Sequence, residues 1–197
     1  MSDYGIVIPT RGGRENYINA IIANAGLPAS HIIITTNSSA YRDQYKRTEA
    51  TLIADLGTIN IHRWWNTGLN ALQANGCTYG AVLNDDISIT ADSVQLMRDA
   101  LERSGATLAH PGQPGEMVGS SWALNLTHGV RCDERYRWWF GDNQLWLDAV
   151  SQGHGIIDVQ NTGIEHHHAN EYTTLSPALQ ALALADERTW VQRQAAA

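Results

Sequence analysis

The chain has 197 residues, 43% of them hydrophobic and 17% charged, and its formal net charge is -7. The length favours one domain spanning 1–197 with a sizeable core, and the balance excludes a disordered chain. The acidic excess excludes the broad basic surface on which non-specific nucleic-acid binding rests, while leaving a local basic groove open.

The N-terminus enters an apolar run at once, without a basic segment or a long hydrophobic stretch, so no secretory signal is read. Residues 5–9, Gly-Ile-Val-Ile-Pro, predict a short buried strand closed by Thr10, Arg11, Gly12 and Gly13. Tyr17, Ile18, Ile21 and Ile22 recur at helical spacing over 16–24, and Gly26 and Pro28 end that helix. Ile32, Ile33 and Ile34 predict a second strand. Residues 58–62 predict a third, and 65–74 a helix stopped at Asn75-Gly76. Residues 81–83 predict a fourth strand, which runs straight into Asn84-Asp85-Asp86. This alternation predicts an α/β fold, with a mostly parallel sheet covered by helices on both faces. Such sheets bind ligands beyond the carboxyl ends of their strands, where the polar clusters at 9–14, 35–39 and 84–86 gather.

The second half is less regular. It predicts a helix at 91–103, a loop at 110–115, a strand at 118–126 carrying Trp122, a helix at 142–152 and a strand at 155–159. A Glu-His-His-His run at 165–168 follows, and a final helix at about 175–194. The Ala/Leu face of that helix is expected to cover the sheet, with dimerisation or contact with a membrane surface as its other uses. No stretch approaches the roughly 20 apolar residues of a transmembrane helix. Cys77 and Cys132 read as free thiols of a reducing compartment, so a cytoplasmic location is expected.

Several residues carry chemistry. A carboxylate at Asp85 or Asp86 can hold a hard cation such as Mg²⁺ or Mn²⁺ that bridges phosphate oxygens; the same pair also reads as a solvated turn or the charged start of a helix. In a strand, His166 and His168 share one side. Asp142 precedes an apolar-periodic helix, where it also serves as a cap. Seven tryptophans against one phenylalanine is an unusual ratio, and Trp64-Trp65 and Trp138-Trp139 lie beside these motifs. Indole faces stack on sugars and bases, although core packing is the commoner use of a tryptophan.

The order of motifs over about residues 5–170 resembles the family-2-type glycosyltransferases of GT-A fold. The matching stretches are Ile6-Val7-Ile8-Pro9-Thr10-Arg11, the turn Thr36-Asn37-Ser38-Ser39, the helix start Asn66-Thr67-Gly68, and Leu83-Asn84-Asp85-Asp86. Asp133-Glu134, the Gly141-to-Leu145 helix start and the histidines at 166–168 complete the series. The resemblance implies a GT-A-like three-layer domain that moves a sugar from a nucleotide-sugar donor, with UDP as the default nucleotide, and inverts the anomeric carbon. It implies Mn²⁺ or Mg²⁺ on Asp86, with His166 and then His168 completing the metal shell. Asp142 is implied as general base. Pro9, Thr10, Arg11, Arg14, Asn37, Asn66, Asn84 and Asp85 are expected on the donor, and Trp139 on the acceptor. Four positions depart from the pattern: Thr36, Asn84, Gly141 and Gln144 stand where the family commonly carries an acid.

The acceptor is left open among a glycan, a lipid-linked sugar, a protein, a small molecule and a modified nucleic-acid base. Two other readings stay in play. A sugar-nucleotide nucleotidyltransferase would carry a Lys after its Gly-rich loop, and the 11–14 loop has none. A non-catalytic nucleotide- or carbohydrate-binding module accommodates the missing acids.

Overall fold

The strongest apolar runs pair with one another. Tyr4–Thr10 (β1) lies between Ile32–Thr36 (β2) and Tyr79–Leu83 (β4), parallel to both, and β2 carries Thr51–Ala54 (β3) on its far side. Beyond β4 come Ser121–Asn125 (β7), Leu108–His110 (β6) and Ile156–Asp158 (β8), giving the order β3-β2-β1-β4-β7-β6-β8. Only β7 runs against its neighbours, so the sheet is mixed but mostly parallel. The structure is a computed structural model and describes residues 3–45, 48–112, 119–168 and 171–196.

Successive strand residues face opposite sides of a sheet. In β1 and β2 this sends Ile6, Ile8, Ile32 and Ile34 to one face and Val7 and Ile33 to the other. The first face is covered by Glu15–Ala25 (α1) through Ile18 and Ile21, and by Ser93–Ser104 (α4) through Val94, Met97 and Leu101. The second is covered by Ile61–Ala74 (α3) through Trp65, Leu69 and Leu72, and by Gly141–Ser151 (α5) through Leu145 and Ala149. The result is the three-layer architecture expected. Helix α3 lies so close to the sheet that a Cβ at Gly68 would overlap Val7, which accounts for glycine two residues after Asn66.

Two expectations need correction. The strand expected at 58–62 is absent. Asn60 caps α3 there, its side chain accepting from the Arg63 amide at 3.0 Å, and the third strand is the short, partly exposed edge strand β3. Alternating isoleucines at 59 and 61 imitate a strand, but the cap and the buried face formed by His62, Trp65 and Leu69 favour a helix. The final helix, Pro177–Ala196 (α7), follows Glu171–Leu175 (α6), and its buried residues Leu179 and Ala183 belong to neither face of the sheet. It packs instead on residues 133–140. Arg193 donates to Asp133 at 2.7 Å, and Trp190 stacks on Phe140 with centroids 5.5 Å apart. Of the loop expected at 110–115 and the strand expected from 118, positions 113–118 lie outside the described residues. No described helix is long and apolar enough to cross a membrane.

Candidate active site

The carboxyl ends of β1 and β4 open into a cleft of about 460 Å³. Pro9, Thr10 and Arg11 from the end of β1 line it, with Asn84, Asp85 and Asp86 from the end of β4. Trp138, Trp139, Phe140 and Asp142 line it from the α5 side, and His166, His168, Glu171 and Thr173 from the C-terminal side. Ten of the thirteen residues expected from sequence therefore share one cavity.

The acidic end of β4 is buried and heavily bonded. Asp85 accepts from the Thr10 hydroxyl at 2.6 Å. Asp86 Oδ2 meets Arg14 Nη1 at 2.5 Å and His166 Nε2 at 3.2 Å. Burial raises the Asp86 pKa, but the bonds and charges of His166 and Arg14 outweigh it, so the carboxyl lies below its ordinary value. Its other oxygen, Oδ1, is buried without a hydrogen-bond partner, as is Asn84 Oδ1. The His166 contact depends on an unexpected element: Ile87–Ser88 (β5) pairs antiparallel with Glu165–His166 (β9) and sets Ile87 opposite His166. His166 and His168 both line the cleft, but the strand ends at His166 and His168 lies in the bend beyond it, so strand alternation is not what brings them together. His168, however, bonds the Tyr17 hydroxyl at 3.2 Å and approaches Glu171 at 3.5 Å, while His167 bonds Ser88 at 2.9 Å.

Among the described residues, no group of three His, Cys, Asp or Glu side chains is arranged to hold a metal ion. The residues still fit Mg²⁺ or Mn²⁺, because such ions are commonly bound by one or two protein ligands plus substrate phosphates. Asp86, with its orphaned Oδ1, and His166 meet that requirement.

The opposite wall is built differently. Phe140 adopts a left-handed backbone, φ 64°, and turns the chain into α5, placing Asp142 in the first turn. The preceding segment is clamped by Asp186 of α7, a buried carboxylate that accepts from the amides of Arg137 at 3.0 Å, Trp138 at 2.6 Å and Trp139 at 2.9 Å. The Trp138 indole donates to Thr173 at 2.6 Å. Trp139 remains 38% exposed at the rim. Trp64 and Trp65, consecutive residues of α3, also line the cleft, and both carry buried indole N–H groups without partners. The absence of an acid at 141 has a steric cause. A Cβ there would overlap the ring of His62, which is fully buried and bonded through Nδ1 to the Tyr136 carbonyl at 2.8 Å. Gln144 donates to Asp148 at 2.7 Å.

Three expected donor residues do not line the cleft. Asn66 is committed to structure: it donates to the Cys132 carbonyl and to Glu134, both at 2.9 Å, and accepts from the Cys132 amide at 3.0 Å. Asn37 lies in the bend after β2. Arg14 sits behind the acidic pair. Sequence reading missed Asp186, Glu171 and Thr173. Asp186 did leave a signal, since it shares the buried stripe of Leu179 and Ala183 at a spacing of four and seven residues.

The architecture and the position of the cleft define the α/β fold found in glycosyltransferases of the GT-A type. No protein-family model matches the chain, and no curated protein matches it. Solved structures do. TarS of S. aureus superposes with a TM-score of 0.59 at 10% identity, over 88% of this chain and 38% of TarS. A shorter TarS chain in complex with UDP-GlcNAc gives 0.54 at 11% identity, over 77% of this chain and 54% of that one. A mutant Drosophila β-1,4-galactosyltransferase 7, in complex with manganese, UDP-Gal and xylobiose, gives 0.56 at 12% identity, over 88% and 74%. The chain thus spans well under half the length of the longer TarS.

Proposed function

We propose that the chain is a metal-dependent glycosyltransferase that moves a sugar from a nucleoside diphosphate, with UDP as the default, to a hydroxyl acceptor with inversion. The observation that carries this reading is the half-used carboxylate of Asp86. It is buried, held through one oxygen by Arg14 and His166, and left unpartnered at the other inside the cleft. The UDP-GlcNAc and the manganese–UDP-Gal complexes of the two neighbours support the choice of donor and metal.

In this reading Asp86 and His166 would hold the divalent ion. When bound, the ion offsets the charge that builds on the leaving diphosphate. Pro9, Thr10, Arg11, Asn84 and Asp85 flank the donor, with the Trp64 and Trp65 side chains forming part of the same cavity. Asp142 takes the proton of the acceptor hydroxyl as its oxygen bonds to the anomeric carbon. The bond from that carbon to the diphosphate breaks, and its electron pair leaves with the phosphate. Trp139 at the rim meets the acceptor. Positioning and electrostatic stabilisation supply most of the acceleration.

The test is to incubate the chain and Mn²⁺ with UDP-glucose, UDP-galactose and UDP-GlcNAc, with and without a panel of hydroxyl acceptors, and to follow UDP release by NMR. Metal-dependent release from one donor is expected. Binding of these nucleotides without any release would favour the binding-module reading.

A further inference from the structure

The Asp86 carboxylate already has a cation beside it. We propose that Arg14, a cation fixed behind the acidic pair of the cleft, shares Asp86 with the divalent ion, keeps that ion's affinity low while the donor is absent, and so makes metal and donor bind as a pair. This rests on the donor-site reading above.

Arg14 immediately precedes α1, is 9% exposed, and reaches three carboxylates. Its Nη1 lies 2.5 Å from Asp86 and 3.7 Å from Asp85, and its Nη2 lies 2.6 Å from Glu171. Asp85 and Asp86 are neighbours in sequence, 3% and 5% exposed. Two adjacent buried carboxylates require a counter-charge, because neither is adequately hydrated. A guanidinium supplies it permanently, since it does not lose its proton in a protein. Glu171, on α6, holds the same guanidinium from the C-terminal side, so its position is fixed by two separate parts of the fold.

The consequence for the metal follows from charge. A divalent ion on the orphaned Oδ1 of Asp86 must sit beside the positive group that occupies Oδ2. Like charges a few ångströms apart in a poorly hydrated site repel strongly. A diphosphate in the cleft reverses the balance, because its oxygens coordinate the ion and its negative charge offsets the repulsion between the ion and the guanidinium behind Asp86. Arg14 thus weakens the metal alone and favours the metal–diphosphate pair.

The experiment is a Mn²⁺ titration of the full chain followed by electron paramagnetic resonance, with and without UDP, for wild type, Arg14→Gln and Arg14→Lys. Wild type is expected to bind Mn²⁺ alone weakly, and UDP to tighten it by about tenfold or more. Arg14→Gln is expected to bind Mn²⁺ alone about tenfold more tightly than wild type and to lose most of the UDP effect. Arg14→Lys, which keeps the charge, is expected to stay near wild type. Arg14→Gln binding Mn²⁺ no more tightly than wild type, with circular dichroism showing it folded, overturns the proposal. If that variant does not fold, the wild-type titrations decide, and Mn²⁺ binding as tight without UDP as with it overturns it. Failure of the donor-site reading is read separately, as no UDP binding to wild type by calorimetry in the presence of Mn²⁺.

Discussion

The two walls of the cleft are made by different physics. The donor-side wall, Pro9–Arg11 and Asn84–Asp86, is the edge of the sheet. Its residues are fixed by the parallel pairing of β1 with β4 and by a core beneath them that includes Ile6, Val7, Ala81 and Val82. The facing wall, Trp138–Asp142, belongs to no strand. It is held by one carboxylate, Asp186, bonded to three consecutive amides, and by the left-handed turn at Phe140. One wall is therefore set by topology and stable as long as the sheet is. The other is set by a side chain from another element, and a single substitution can move it while the sheet stays intact.

This difference can be broken from either side. The largest effect is expected at Asp142. Replacing it with Asn should lower turnover about 100- to 10,000-fold and leave UDP affinity unchanged, which steady-state kinetics and calorimetry together check. Asp186→Asn should come next. It removes the charge that three amides share and should cost about 2–4 kcal/mol of stability, read by chemical denaturation, with UDP affinity within about twofold of wild type because the sheet edge does not depend on it. A loss of UDP binding with the fold retained would contradict the division into two walls.

Asn66→Ala sharpens the same comparison. The sequence pattern expects Asn66 on the donor, but its side chain ties α3 to residues 132–134. The expected result is a stability loss of about 2–3 kcal/mol with donor affinity unchanged, and weakened UDP binding in a variant of unchanged stability would restore the donor role. The smallest effect is in pH. Burial lowers the pKa of His62 and His110, and burial together with His154 lowers that of His128. These groups take up protons in the unfolded chain more readily than in the folded one. Unfolding free energy should therefore rise with pH between about 5 and 7, since the unfolded state binds more protons there; a flat profile from denaturant titrations would argue against it.

The same contrast explains what the sequence made legible. The strand at β1, the strand ending at Asp86 and the helices between them announce themselves through β-branched runs, helical periodicity and glycine stops, all of which are local. The gathering of Pro9, Thr10, Arg11, Asn84, Asp85 and Asp86 follows from parallel topology alone. The placement of His166 does not, because β5 and β9 are two residues each and pair across nearly eighty positions. The β3 edge strand was masked by its short, partly exposed run, and a strand at 58–62 was suggested by the alternating isoleucines at 59 and 61, the second of which opens α3. For Asp186 only its place on the buried stripe of Leu179 and Ala183 was legible, because its partners are backbone amides, which leave no mark in sequence.

The central claim is that Asp86 anchors a metal-assisted diphosphate site. Its most direct test is calorimetric titration of UDP, GDP, TDP and CDP into wild type and Asp86→Ala, with Mn²⁺ and with EDTA. The account predicts that one diphosphate, UDP by default, binds in Mn²⁺ and that its affinity falls at least tenfold in EDTA and in Asp86→Ala. Binding of no nucleotide to the folded wild type, or binding that is equal in Mn²⁺ and EDTA and unaffected by the substitution, would contradict it.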